Sequence, residues 1–410
     1  MSGVNRNCEG KIKKLLDIFP VVIILGARQV GKTILAKKIT KDWKYFDLEN
    51  SDDFTTISRS ISLFFQHYPK QIILDAAQAY PELFSNLRGV IDAEPTHNGR
   101  FIITGSSSPE LLHHASETLA GRAGLIELGT LKANEYYEKP QTDFYKIFTG
   151  KISPEQVVSG VPPLSALEMS TIWYKGGYPK PLLNMDPKDY ELWMENYRDT
   201  YVNRDVAKLF PRLNKAAFQR FLSVLCKLST TIINKSDVAR AIQVSEPTIT
   251  EYLAIVEGTF LWRTLPSYEK NIIKSVVKMP KAYIRDSGLF HYLARIHSFD
   301  ELLEDYLLGA SFEAFAIEEL LKGLEATLVT NWESYYYRTR NGAEIDLILD
   351  GPFGVLPIEI KYGTSVKIKQ ITSLIQFVEE HNLPLGMVIN QSDRVEWITE
   401  KVVQIPVGWL

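Results

Sequence analysis

Five short apolar runs mark the first third of the chain: Val21–Leu25, Lys44–Leu48, Gln71–Asp75, Phe101–Thr104 and Gly124–Leu128. Each reads as a buried strand, and the intervals between them are mostly long enough for crossover helices. Near-continuous apolar strands alternating with helices predict a parallel sheet covered on both faces, hence an α/β domain. From about residue 155 to 300 the apolar spacing becomes helical, through LWMENYRDTYVNRDVAKLF and FQRFLSVLCKL, and strand runs are scarce. The last stretch is mixed. It predicts a helix over Ser311–Leu324, strands over Ser334–Arg338, Glu344–Leu349 and Val355–Lys361, another helix and a last strand. There is no internal repeat. The Pro/Gly segment Ser153–Pro163 and the stretch Leu307–Ser311 are the best candidate boundaries, which gives domains at 1–155, 156–305 and 306–410.

Composition narrows the class. At 410 residues with 45% hydrophobic and 23% charged side chains, the chain can build more than one core, and disordered or collagen-like readings are excluded. The formal charge of -3 gives no global attraction to nucleic acid, so any such binding must come from a local patch. Cys8 and Cys226 are far apart and lack metal-ligand spacing, which argues for a reducing compartment and against structural zinc. Lysines 11, 13 and 14 before LLDIFPVVIIL resemble a signal peptide superficially, but Asp17 and Pro20 break the apolar run. The expectation is a cytoplasmic protein with no membrane partner.

Residues 26–33, GARQVGKT, match the eight-residue phosphate loop in full, directly after the apolar strand Val21–Leu25 and before the helix-compatible ILAKKI. Gly26 and Gly31 permit the tight backbone path on which Ala27, Arg28, Gln29 and Val30 turn their N–H groups and the helix N-terminus toward phosphates. Lys32 would reach the β- and γ-phosphates of ATP, and the Thr33 hydroxyl would ligate Mg²⁺. Such a site needs an acidic residue at the end of a neighbouring strand to hold the magnesium, and QIILD supplies Asp75. The next position, where a glutamate would polarise water, is Ala76, which can neither accept a proton nor orient water.

GARQVGKT, LDAAQAYPELFSNLRGVID, FIITGSSSPELL and LAGRAGLIEL together are similar to the bacterial and archaeal AAA-type ATPases that carry a C-terminal helical and nuclease-like region. GGYP at 176–179, YVNRDVAKL and IRDSGLF extend that likeness over nearly the whole chain. The resemblance implies an ATPase, with hydrolysis impaired because members usually carry Asp-Glu where this chain has Asp75-Ala76. It places Ser106 where a sensor would contact the γ-phosphate or water; the other reading is a plain strand-end serine. Arg122 is a candidate arginine finger acting in trans in a homo-oligomer, or a structural partner of Glu127 or Asp92.

In the middle region, NKSDVARAIQVSEPTITEYLAIVEG has the shape of a helix-turn-helix, with Val238, Ala239 and Ile242 on the first helix and Ile249, Tyr252 and Leu253 on the second. If LWRTLPSY and KAYIRDSGL pair as a wing, the region is winged-helix-like. The second helix carries Glu246, Glu251 and Glu257 and no basic residue, which opposes insertion into a phosphate-lined groove. Residues 263–285 hold Arg263, Lys270, Lys274, Lys278, Lys281 and Arg285 against Glu269 alone. This is a candidate DNA-binding patch, or a solvated basic loop.

Asp346 in NGAEIDLIL and Glu359-Ile360-Lys361 in LPIEIK fall on two apolar strands joined by DGPFG. Period-two alternation puts Glu359 and Lys361 on one face and Ile358 and Ile360 on the other, so two carboxylates and a lysine can converge at one end of a sheet. Such a pair could hold Mg²⁺ or Mn²⁺ beside a lysine that acts on water. The arrangement resembles the PD-(D/E)xK nucleases, which implies Glu313 as an upstream acidic member. The alternatives are an active metal-dependent DNA nuclease and a binding module in which Glu359 and Lys361 are merely paired. The fold expected for the chain is α/β: a five-stranded parallel P-loop NTPase sheet, a mainly helical winged-helix-like region, then an α/β nuclease-like domain.

Overall fold

The computed structural model describes residues 3–106, 117–157, 162–207, 210, 213–269, 279–339 and 342–410, the side chains of 187 and 203–205 excepted. The chain forms two compact units, Met1–Leu131 with Gly258–Phe260, and Lys132–Glu257 with Leu261–Leu410.

The first unit is built on strands β1 (Val21–Gly26), β2 (Lys44–Asp47), β3 (Ile72–Asp75), β4 (Phe101–Ser106) and β5 (Ala123–Glu127). They lie in the order β2-β3-β4-β1-β5, every pairing parallel. All six residues of the central β1 are buried, which is why its sequence is continuously apolar rather than alternating. Helices α1 (Glu9–Ile18), α2 (Lys32–Ile39) and α3 (Leu83–Ala93) accompany the sheet. The helical spacing of Leu83, Phe84, Leu87 and Ile91 gives α3 one apolar face, and it joins Phe64, Phe65 and Phe101 in the core. Because the strands are parallel, their C-terminal residues share one edge. The register places Gly26 beside Ser106 and Asp47 beside Asp75 there.

The second unit begins earlier than the Ser153–Pro163 segment suggests. Lys132 is buried and donates to the Glu319 carbonyl at 2.6 Å and to the Tyr145 hydroxyl at 2.9 Å. Phe144 meets Trp409 and Phe148 meets Phe353, with ring centroids 5.5 and 4.9 Å apart. Residues 132–155 therefore pack with the C-terminal part of the chain. Helix α4 (Ala166–Lys175) starts at a Ser165/Glu168 capping box, and α5 (Tyr190–Thr200) and α6 (Lys215–Lys227) follow. Next come α7 (Lys235–Ile242) and α8 (Glu246–Gly258), joined through Gln243 at φ 59. Val238, Ala239, Ile242, Ile249 and Tyr252 are buried and Leu253 is half-buried. Three short antiparallel strands, β6 (Thr231–Ile232), β7 (Trp262–Leu265) and β8 (Lys281–Ile284), order as β6-β8-β7.

At the turn before Tyr178-Pro179, Gly176 has φ 71, and a Cβ there would lie 2.3 Å from Asp286 Oδ1. Asp286 accepts from the Gly177 and Leu289 N–H groups and so caps α9 (Ser287–Ala294) while holding that turn. The proposed boundary at Leu307–Ser311 falls on the start of α10 (Leu308–Glu325). Ser311 is buried on that helix, accepting from Trp173 Nε1 at 2.8 Å and lying 2.6 Å from His291 Nε2. Burial pushes His291 down to about 4, so this pair is a neutral packing contact.

The C-terminal sheet contains β9 (Glu333–Arg338), β10 (Glu344–Gly351), β11 (Gly354–Ile360), β12 (Gly386–Asn390), β13 (Glu396–Trp397) and β14 (Val402–Pro406), with α11 (Thr372–Glu380) between β11 and β12. Its order is β13-β14-β12-β11-β10-β9. Three strands follow α11 where one was expected, since GMVIN and VVQIP are short buried runs that pair in parallel and β13 is a two-residue edge. Among the described residues no helix is long and apolar enough to cross a membrane.

Candidate functional site

The phosphate loop is a turn over the C-terminal edge of the first sheet. Gly26 has φ 153, and a Cβ there would sit 2.1 Å from the Leu128 carbonyl oxygen, so glycine is required for the chain to leave β1 at this point. Gln29 at φ 65 and Gly31 at φ 97 carry the bend, and α2 begins at Lys32. Ala27 and Val30 are buried, Arg28 is half-buried and Gln29 is exposed. The Arg6 guanidinium supports the loop from behind, donating to the carbonyls of Val30 at 3.0 Å and Gly129 at 2.8 Å. The Lys32 ammonium folds onto the loop's own carbonyls, Gly26 at 2.9 Å and Ala27 at 2.8 Å. Burial lowers Lys32 to about 8, with Asp75 acting in the opposite direction.

Asp75 is the hub of the site. Its Oδ2 accepts from the Thr33 hydroxyl at 2.6 Å and from the Tyr45 hydroxyl at 2.9 Å. Its Oδ1 accepts from the Ala76 N–H at 3.0 Å and from the Thr104 hydroxyl. Burial, reinforced by Asp75, raises the Tyr45 phenol well above its ordinary value, so it stays a donor. Ala76 is in the left-handed region, φ 58 and ψ 43, and presents a methyl group. Gln78 Oε1, on the turn after it, is buried with no hydrogen-bond partner. Ser106 ends β4, half-buried, beside Gly26. Arg122 grips Asp92 with both arms, Nε to Oδ1 at 2.6 Å and Nη2 to Oδ2 at 3.2 Å. The hydrogen bond from Arg122 holds the Asp92 carboxyl below its usual range. Of the two structural partners weighed for Arg122, these contacts go to Asp92.

Tyr45 and Thr104 are contributors that the sequence reading missed. Thr104 had a signal, a polar residue inside the fully buried run FIIT. Tyr45 is two residues before Asp47 on β2, so it shares the face that the in-register Asp47–Asp75 pair presents.

A second polar centre is in the C-terminal unit, where pairing of β10 with β11 brings Asp346 and Glu359 together. Asp346 Oδ2 accepts from the Ile360 N–H at 2.8 Å, and Lys361 Nζ is 2.6 Å from Glu359 Oε1. Lys281 of β8 reaches the same cluster: its Nζ is 2.6 Å from Glu313 Oε1, 3.0 Å from Glu344 Oε1 and 3.2 Å from Asp346 Oδ1. Glu359 Oε2 is buried without a hydrogen-bond partner. Burial, then the Asp346 charge, pushes both Glu313 and Glu359 up to about 8. Burial opposes the Lys281 charge, yet Glu313, Asp346 and Glu344 together hold it well above an ordinary lysine. Among the described residues no three His, Cys, Asp or Glu side chains are grouped to hold a metal ion.

The basic patch needs correction. Lys281 is 2% exposed and neutralised by carboxylates. Arg263 and Arg285 both turn onto the buried Glu318, with Nε to Oε1 distances of 2.5 and 3.3 Å. Burial alone would raise the Glu318 carboxyl, but the two guanidiniums outweigh it and hold it at about 2. These three side chains are engaged in internal ion pairs, Lys281 buried and Arg263 and Arg285 half-buried. Lys270, Lys274 and Lys278 lie outside the described residues.

Residues 19–137 match a sequence family described as an AAA domain, and 167–300 and 308–410 match two domains of unknown function, DUF8612 and DUF4143. The uncharacterized proteins Rv2008c of Mycobacterium tuberculosis and Mb2031c of Mycobacterium bovis are each 30% identical over 397 residues, 93% of this chain and 81% of the relative. The chain belongs to the same family as these two mycobacterial proteins, and its residues 19–137 form an AAA-type P-loop domain. This AAA-type chain is also similar in outline to the Walker-type ATPase PABY2304 of Pyrococcus abyssi, at TM-score 0.43 and 16% identity over 70% of this chain and 94% of that one. RuvB of Thermotoga maritima, the Holliday junction branch migration motor, gives a TM-score of 0.32 at 14% identity over 64% and 90%. AMPPCP-bound DnaA of Aquifex aeolicus gives 0.25 at 13% over 61% and 85%.

Proposed function

We propose that this protein binds Mg-ATP at the 26–33 loop and turns it over slowly or not at all, and that nucleotide state governs homo-oligomerisation and the C-terminal unit. One observation carries the reading: a complete loop converges on Asp75 while the adjoining position holds a methyl group. The residues fit the ligand. The backbone at Gly26, Gln29 and Gly31 is bent as phosphate-facing N–H groups require, and Lys32 rests on neutral carbonyls that it can leave for a phosphate. Thr33 and Asp75 would hold the Mg²⁺, which when bound neutralises charge on the phosphates. Ser106, at the edge beside Gly26, would hydrogen-bond the terminal phosphate, and Tyr45 and Thr104 fix the Asp75 carboxylate. A trans role for Arg122 requires its release from Asp92, so oligomerisation and loss of that pair go together.

Phosphate release and ATP retention by the native chain, Ala76→Glu and Lys32→Ala test the assignment. Retention by the first two with turnover only in Ala76→Glu supports it; an Ala76→Glu chain as silent as the native one removes the ATPase part. Sedimentation with and without MgATP tests assembly, and an unchanged monomer in both removes the oligomer.

A second reading, a metal-dependent DNA nuclease with a regulatory nucleotide domain, draws on the unpartnered Glu359 Oε2 beside Asp346 and Lys361. It predicts cleavage lost in Asp346→Ala and kept in Lys32→Ala. With Lys281 in place the carboxylates do not fit a divalent metal, so no step is assigned to one.

A further inference from the structure

The Lys281 ammonium has three N–H donors and three carboxylates within 3.2 Å, from Glu313 on α10 and from Glu344 and Asp346 on β10. It is 2% exposed, so water does not share this duty. A divalent cation taken up by these carboxylates would need their oxygens at about 2.0–2.6 Å. An ammonium at 2.6–3.2 Å from the same oxygens occupies that space and supplies one of the two charges. The match is incomplete: Glu359 Oε2, on the neighbouring strand, is buried and receives no donor, and Glu313 Oε1 meets the ammonium as an ion pair without a hydrogen bond. Lys361 serves only the other oxygen of the Glu359 carboxylate. The cluster therefore retains carboxyl oxygens that its lysines do not satisfy.

We propose that Lys281 is a tethered cation standing in the divalent-metal position of the C-terminal carboxylate cluster, closing it to metal. The tether is β8, where Lys281 faces Ile232 of β6 and Leu265 of β7. β8 belongs to the sheet that adjoins the helix-turn-helix, whereas Asp346 and Glu359 belong to the C-terminal sheet.

Mn²⁺ binding to the full chain without nucleotide, read by electron paramagnetic resonance of the free ion, tests this. Lys281→Met should take up one more Mn²⁺ than the native chain, with affinity raised about tenfold or more. Lys281→Arg should not gain it, and Lys281→Met/Glu359→Gln should lose it. Because a lone Lys281→Met leaves three carboxylates without their cation, the charge-balanced pair Lys281→Met/Glu344→Gln carries the same test if the single variant does not fold. A folded Lys281→Met or charge-balanced variant with native Mn²⁺ uptake overturns the proposal. So does a native chain whose Glu359-dependent Mn²⁺ binding already equals that of Lys281→Met.

Discussion

Lys32 and Lys281 are both buried, at 8% and 2% exposure, yet their protonation equilibria move in opposite directions. Lys32 touches two neutral carbonyls, and burial lowers it to about 8. Lys281 touches three carboxylates, which overcome the same penalty and raise it. Burial sets the penalty, and the charge of the partners decides its sign. A lysine on neutral acceptors is held in readiness for an incoming polyanion, while a lysine on anions is already engaged. Glu318 is the mirror case, a buried anion held ionised by Arg263 and Arg285.

The sharpest contrast between the two centres is Ala76→Glu. General-base assistance is typically worth about 10²–10⁴ in rate, so phosphate release should rise by that order in the nucleotide site and leave the carboxylate cluster untouched. Glu318→Ala acts on the second unit alone. Removing the carboxylate between two inward-facing guanidiniums should cost about 3–5 kcal/mol in urea unfolding, while ATP binding by the first unit persists. Lys32→Ala should weaken ATP binding about a hundredfold by calorimetry, with no change in the unfolding of the second unit.

Two pH effects of opposite origin come next. A phosphate favours charged Lys32, so above pH 8 binding must take up a proton, and affinity should fall about tenfold from pH 7 to pH 9. Glu359 has its folded value raised from 4.5 to about 8. Between these limits the folded chain holds a proton that the unfolded chain lacks, so stability falls as pH rises through that window. Glu359→Gln should flatten the slope of unfolding free energy against pH between 5 and 8; an unchanged slope would show that Glu359 ionises normally. The smallest effect is that of Tyr45→Phe. Loss of one of four donors to Asp75 should weaken MgATP binding by about 1 kcal/mol or less.

The two centres also differ in how far the chain order discloses them. The phosphate loop is contiguous, so its eight residues and the strand and helix around it could be read directly, as could the five parallel strands. Tyr45 and Thr104 join Asp75 through the lateral order of strands, which spacing along the chain does not encode. In the C-terminal unit, alternation within a strand placed Glu359 with Lys361 and marked Asp346. It could not show that Lys281 turns inward, because the anions that neutralise it are at positions 313, 344 and 346. Arg263 and Arg285 misled for the same reason: a cationic run looks solvent-facing until its distant counter-charges are located.

Arg6 precedes α1 and donates to the carbonyls of Val30 and Gly129. One guanidinium thus stitches the segment before α1 to the crest of the phosphate loop and to the segment leaving β5. Arg6 is in effect a keystone of the nucleotide cradle. An Arg6→Ala change, far from the motif in sequence, would loosen that cradle while leaving GARQVGKT intact on paper.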